Sequence, residues 1–370
     1  MTYSPNVPDH IAELKAYVPG LPIENLARRI AVPVHRIAKM ASNENPLGAG
    51  PLAIAAARNA VIDLALYPDN DSTALVDALS AKLGVSAEQV VVGCGSESLL
   101  TMSAAAFLAP GRSAVYTQYS FQAFVNAVQR VGARAVEVPS PNYTVDTQAL
   151  LDAIRPDTSL VYLANPGNPT GTHVRQADLA NFLAKVPSQI LVVLDEAYFE
   201  YLPDQDGPDS LSLVKEYPNL LVTRTFSKAY GLAALRVGYG VAQVEVAAML
   251  RRLRAPFSVS SVAQAAAIAA LQDTDFLAET VRVNAEGREQ LYAGFDALGL
   301  PYLRSDANFV LVKVGDGAAM AKRLEQHGLI VRPVGGYGLP AWMRVSVGAA
   351  QNNGRLLDAL CAELKATCPA

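Results

Sequence analysis

Six short apolar runs punctuate the first two thirds of the chain: Gln89–Gly93, Ala114–Thr117, Ala135–Val138, Leu160–Ala164, Ile190–Leu194 and Leu220–Thr223. None shows the in–out alternation of a half-exposed strand, so each reads as a strand buried on both faces. Between them lie stretches with helical spacing of apolar residues, among them Ser98–Leu108, Phe121–Val131 and Asp178–Val186. Strands alternating with helices predict an α/β domain around a mainly parallel sheet.

Beyond about Ala255 the texture changes. Ser258–Leu271 and Asp275–Leu298 read as long helices, the second a bridge into another unit. Asn308–Val314 and Met343–Val347 read as strands, and Ala318–His327 and Asn352–Ala366 as helices. At the other end, Pro5, Pro8, Pro19, Pro22 and Pro33 break up the first forty residues. The pattern divides the chain into an N-terminal arm (1–40), a large domain (41–270) and a small α+β domain (271–370). A length of 370 residues suits two or three such units.

Composition narrows the function classes. Hydrophobic residues are 51% and charged ones 17% of the chain, a profile of a compact globular protein. A net charge of −4 offers no footprint for nucleic acid or an anionic membrane, so any anion site must be local. Cys94, Cys361 and Cys368 are too few and too badly spaced for a disulfide framework or a metal site, and they fit a reducing compartment. Neither a signal peptide nor a membrane span is visible, and a cytoplasmic, soluble protein is expected.

Ligands of open parallel sheets sit beyond the carboxyl ends of the strands, which directs attention to the polar residues that follow the apolar runs. Asp195 closes one run, and a carboxylate there is costly unless donors or a cation meet it. It reads either as a helix cap or salt-bridge partner, or as the counter-charge of a buried cation such as a protonated pyridine nitrogen. Lys228 follows another run among Thr223, Arg224, Thr225, Ser227 and Arg236. A lone lysine is ordinarily a solvated surface charge, but burial and neighbouring cations lower its pKa, as Schiff-base chemistry requires. Arg236 with the hydroxyls of Thr225 and Ser227 suits a phosphate dianion. The turn Gly93-Cys94-Gly95-Ser96-Glu97 can bring backbone N–H groups to an anion, or be only a turn. Tyr119 is either core or a stacking face for a flat ring. In Asn165-Pro166-Gly167-Asn168-Pro169-Thr170-Gly171, two prolines and two glycines stiffen a loop that aims Asn168.

As a set, this loop, Asp195-Glu196-Ala197-Tyr198, and Ser227-Lys228 followed by Arg236 resemble the fold type I aminotransferases that depend on pyridoxal 5′-phosphate (PLP). Arg344-Val345-Ser346-Val347-Gly348 resembles that family's substrate-carboxylate motif. Arg332, the segments Ala16–Gly20 and Ser42–Gly48, and Tyr67-Pro68 are similar to its histidinol-phosphate branch. The resemblance implies an α/β fold with a large domain, a small domain and an arm packed against the small domain and active site. Lys228 would carry PLP as a Schiff base and then serve as general base and acid. Asp195 would hold the pyridine proton, Tyr198 and Asn168 the ring hydroxyl oxygen, and Tyr119 the ring face. The backbone of Gly95, Ser96 and Glu97, with Thr225, Ser227, Arg236 and the partner subunit's Tyr67, would hold the phosphate. Tyr17, Asn43, Arg332 and Arg344 would meet the substrate.

The implied reaction is transfer of an amino group from L-histidinol phosphate to 2-oxoglutarate, in histidine biosynthesis, by a homodimer with shared active sites. An aromatic amino-acid aminotransferase of the same branch is the alternative. A non-catalytic PLP-fold regulatory module is more remote, because Lys228 is intact and no DNA-binding segment accompanies it.

Overall fold

The computed structural model describes residues 6–14, 20–203 and 210–367. After the short β1 (Ala38–Lys39) comes a seven-stranded sheet. Its strands are β2 (Val90–Gly93), β3 (Ser113–Thr117), β4 (Arg134–Val138), β5 (Thr158–Ala164), β6 (Leu191–Asp195), β7 (Leu220–Thr225) and β8 (Gly238–Val241). Their spatial order is β2-β8-β7-β6-β5-β3-β4. Only β8 runs against its neighbours.

Both faces of this sheet are covered, as the unbroken runs imply. Val161, Leu163, Val192 and Leu194 face helices Thr73–Leu83, Gln176–Leu183 and Ser261–Gln272. Leu160, Tyr162, Leu191 and Val193 face helices Ser96–Phe107, Gln122–Arg130 and Val244–Leu253. Each fully buried Val or Leu contributes about 1.5–3 kcal/mol, so the central strands have no room for solvent-facing polar positions. The six expected strands are all present. β8 is the addition, its apolar run interrupted by glycines. A β-carbon on Gly238 would lie 2.6 Å from the amide nitrogen of Ser96, so side chains there would block the approach of the Gly95–Ser96 turn.

A second sheet is antiparallel and ordered β12-β13-β10-β9. It contains β9 (Tyr302–Leu303) and β10 (Phe309–Lys313); the brief β11 (Leu329–Ile330) follows, and then β12 (Arg332–Val334) and β13 (Leu339–Ser346) complete it. Helices Thr274–Ala297, Gly317–Leu324 and Ala350–Thr367 pack on it through Leu291, Phe295, Met320, Leu324, Leu356 and Leu360. β13 begins earlier than its apolar stretch suggests, because Leu339 and Trp342 pair with β12 and β10 despite the intervening Pro340.

Part of the proline-rich beginning is built into the core. Helix Ile23–Arg29 buries Leu26 and Ala27 against Ile37 and Ile330, and β1 pairs in parallel with β11. Among the described residues no helix is long and apolar enough to cross a membrane.

Candidate active site

Beyond the carboxyl ends of β5, β6 and β7 lies a cavity whose other wall is supplied by Arg332 of β12 and Arg344 of β13. Among the described residues its charged lining is four basic groups, Lys228, Arg236, Arg332 and Arg344, against two carboxylates, Asp195 and Glu97. A chain of net negative charge thus keeps a locally positive site, suited to anions.

Asp195 is the last residue of β6 and is 5% exposed. Thr223, directly opposite on β7, donates to Oδ1 at 3.1 Å, and Tyr162 of β5 donates to Oδ2 at 3.0 Å. Burial pushes the Asp195 pKa up while these two donors pull it down. Its two hydroxyl partners are neutral, and the Lys228 charge across the cavity also favours its ionised form.

Lys228 lies just past β7, half-buried, with Nζ donating to the Ser42 carbonyl at 3.2 Å. Its pKa is lowered from 10.5 to about 8, first by burial and then by the Arg344 charge. That combination gives an amine whose neutral, nucleophilic form is a minor but far larger fraction near neutral pH than for an ordinary lysine.

The rigid loop after β5 performs as a pointer. Asn168 Nδ2 donates to the Tyr198 hydroxyl at 3.1 Å, and its Oδ1 accepts from Arg344 at 2.6 Å. Asn43 Nδ2 reaches the same hydroxyl at 2.9 Å. Tyr198, held by burial at a pKa of about 12, stays protonated. Arg344 is further fixed by the Ala41 carbonyl at 2.7 Å.

At the opposite end, Ser227 Oγ accepts from Thr225 at 3.0 Å and from Arg236 at 3.2 Å. These groups stand beside Ser96, the first residue of helix Ser96–Phe107, and Glu97. Gly95 adopts φ 77°, and a β-carbon there would come within 2.6 Å of the Arg236 guanidinium. The positive φ calls for glycine here, and a side chain would in addition push the guanidinium aside.

Several expected residues stand elsewhere. Tyr119, at φ 63°, lies beside the cavity rather than along it, with its ring 5.7 Å from Tyr143; Phe121 lines the cavity instead. Arg224 does not join the groups around Lys228. It projects from the other face of β7 to a buried pair with Glu196 at 2.8 Å, since strand side chains alternate and Thr223 and Thr225 take the site side. Tyr67 is 82% exposed and stacks on Phe257 at 4.6 Å, away from this chain's own cavity. Tyr17 lies outside the described residues. Sequence reasoning missed Tyr337, which follows none of the apolar runs, Phe121, which stands two residues beyond the Tyr119 chosen after one of them, and Tyr162. A tyrosine inside an aliphatic strand was a usable signal, because its buried hydroxyl needs a partner.

The aminotransferase class I and II family matches residues 36–360 of this sequence. The chain belongs to that family. Its class I and II relatives include histidinol-phosphate aminotransferase 2 of Ralstonia nicotianae, 50% identical over 95% of this chain and 96% of the relative. Histidinol-phosphate aminotransferase 1 of Cupriavidus pinatubonensis is 49% identical over 97% and 96%. Among solved structures, the histidinol-phosphate aminotransferase of Sinorhizobium meliloti, in complex with PLP, superposes with a TM-score of 0.89 at 31% identity. That match covers 99% of this chain and 100% of the other.

The site of this class I and II aminotransferase fits PLP on its own chemistry. Asp195 is a buried acid awaiting a cation, Ser96, Thr225, Ser227 and Arg236 form a donor set for a dianion, and Lys228 is an amine of lowered pKa. The chain is a PLP-dependent aminotransferase.

Proposed function

We propose that this enzyme moves the amino group of L-histidinol phosphate to 2-oxoglutarate, giving imidazole acetol phosphate and L-glutamate, as a step of histidine biosynthesis in the cytoplasm. The observation that carries the reading is the pairing of Arg332 and Arg344 on the wall of the cavity that contains Lys228. Two guanidinium forks suit both the phosphate of one substrate and the carboxylates of the other. Support also comes from the names of relatives about half identical over nearly the whole chain.

In this reading Asp195 holds the cofactor's ring nitrogen, Tyr198 and Asn168 its ring hydroxyl, and Ser96, Thr225, Ser227 and Arg236 its phosphate, with Gly95 and Glu97 completing the turn. The cofactor, when bound, supplies a ring that accepts the electron pair left on the substrate carbon as its proton departs. Lys228 takes that proton and returns it elsewhere, acting first as base and then as acid. Asn43 and Arg344 orient the donor, Tyr17 closes the site around it, and Phe121 takes the place along the cavity that the sequence assigned to Tyr119.

The working units are the arm (1–40), the large domain (41–270) and the small domain (271–370). The enzyme acts as a homodimer in which Tyr67 serves the neighbouring subunit's phosphate site. Its 82% exposure, beside Ile62, Leu64 and Leu66 at 82%, 67% and 70%, supports that assignment.

The deciding experiment mixes the purified PLP-loaded enzyme separately with histidinol phosphate and with phenylalanine, and follows conversion of the cofactor to its amine form in a single turnover. Fast conversion by histidinol phosphate alone is expected. Preference for phenylalanine would replace the substrate assignment with an aromatic one and leave the family unchanged.

A further inference from the structure

Besides the Ala197 backbone N–H, each oxygen of Asp195 accepts from one neutral hydroxyl, and the two hydroxyls are not equivalent. Thr223 stands directly across from it on β7, in register, where any small hydroxyl would reach. On the other side the register partner is Ala164, which bears no polar group. The donor comes instead from Tyr162, two residues back along β5, whose ring spans the diagonal to place its hydroxyl 3.0 Å from Oδ2. Its ring is fully buried and lies flat on Phe124, with centroids 4.0 Å apart and planes 8° from parallel. This stack, built from helix Gln122–Arg130, leaves the hydroxyl little freedom.

We propose that Tyr162 is a positioning residue that keeps the proton on the cofactor's ring nitrogen by occupying the second oxygen of Asp195. The proposal rests on the PLP reading of the site. A carboxylate that accepts two hydrogen bonds is a weaker base than one that accepts a single bond. When such a carboxylate faces a pyridine nitrogen, one proton is shared between them, and the weaker the carboxylate as a base, the more that proton belongs to the ring. Only the protonated ring is a strong acceptor for the electron pair released at the substrate carbon. Tyr162 touches neither cofactor nor substrate in this scheme. It acts through Asp195. Its own pKa lies well above the ordinary value because of burial and the adjacent carboxylate, so it remains a donor at every working pH.

Tyr162→Phe removes one oxygen atom and keeps the ring and its stack on Phe124. With ¹⁵N-labelled PLP bound to the purified enzyme, the ring-nitrogen chemical shift is expected to move toward the unprotonated value in Tyr162→Phe. The kcat of the amino-donor half-reaction is expected to fall roughly 10- to 100-fold with little change in KM. In an Asp195→Asn background, where no carboxylate remains to be tuned, the same substitution is expected to leave the nitrogen signal unchanged and to add little further loss. A nitrogen signal identical in wild type and Tyr162→Phe, in wild-type enzyme that does transaminate, overturns the role of Tyr162 and leaves the function intact. Equal and additive losses in both backgrounds overturn it too, by showing a packing role. Wild-type enzyme that fails to bind PLP overturns the functional reading together with this one.

Discussion

Lys228 must attack a carbonyl, and an ammonium group cannot. Its pKa, lowered to about 8 by burial and by Arg344, sets the pH at which the neutral amine appears. The rate at which the apo chain captures PLP, followed by the absorbance of the lysine-bound cofactor, should therefore rise with pH and level off above a midpoint near 8. Arg344→Gln removes a repelling charge and should move that midpoint upward, toward 10.5. A wild-type midpoint already at 10.5 would refute the account. At this scale the sequence was informative wherever chemistry and position coincided. Lys228, Asp195 and Asn168 all follow apolar runs, at the sheet edge where ligands sit. Tyr119 follows one as well, yet its left-handed backbone turns the ring toward Tyr143, a conformation that no pattern of residue types announces.

The ends of β6 and β7 carry a second group of charges, turned away from the cavity. Arg224 Nε donates to Glu196 Oε2 at 2.9 Å, Ser210 donates to the same oxygen at 2.9 Å, and the guanidinium lies 3.5 Å over the Phe199 ring. Both ionic partners are nearly inaccessible to solvent. Arg224→Ala would strand a buried carboxylate and should lower unfolding free energy by about 3–5 kcal/mol in urea titrations. Replacing the pair by Met and Leu should cost less, since Glu196 goes with its partner and only Glu200, already raised to about 7 by burial, loses the Arg224 charge. A single alanine variant within about 1 kcal/mol of wild type would show that water reaches Glu196. From sequence, Arg224 was counted among the cations around Lys228 because it lies so near that lysine along the chain. The alternation of a strand separates neighbours in sequence onto opposite faces, and an unbroken apolar run conceals which face is which. The same concealment hid Tyr162, and glycine dilution hid β8.

For the whole molecule, the apolar surface around Ile62–Tyr67, with Phe257 43% exposed beside it, is the natural place for a second copy. If Tyr67 completes the neighbouring site, Tyr67→Ala and Lys228→Ala are each inactive alone but damage different halves of the pair. Unfolded together and refolded as a mixture, they should regain roughly a quarter of wild-type turnover, because half the dimers are mixed and each has one intact site. No recovery, with mixed dimers demonstrated by differential tagging, would confine the whole site to one chain. The α/β class and most element positions were legible from periodicity. The joining of the two sheets was not, because it depends on contacts between residues very far apart along the chain.

Those contacts converge on residues 38–45. β1 pairs with β11, the Met40 carbonyl accepts from Ser346, Ser42 receives Lys228, and the Asn43 amide nitrogen donates to Ser346 Oγ at 2.8 Å across 303 positions. During synthesis Asn43 leaves the ribosome 303 residues ahead of its partner Ser346 in β13. At about 5–20 residues per second the wait is roughly 15–60 s. A nascent chain halted before β13 would already possess its lysine and its acid, but Ala41 would have no Arg344 to hold and the substrate wall would be missing. The enzyme thus becomes competent only once segments 303 positions apart along the chain have met.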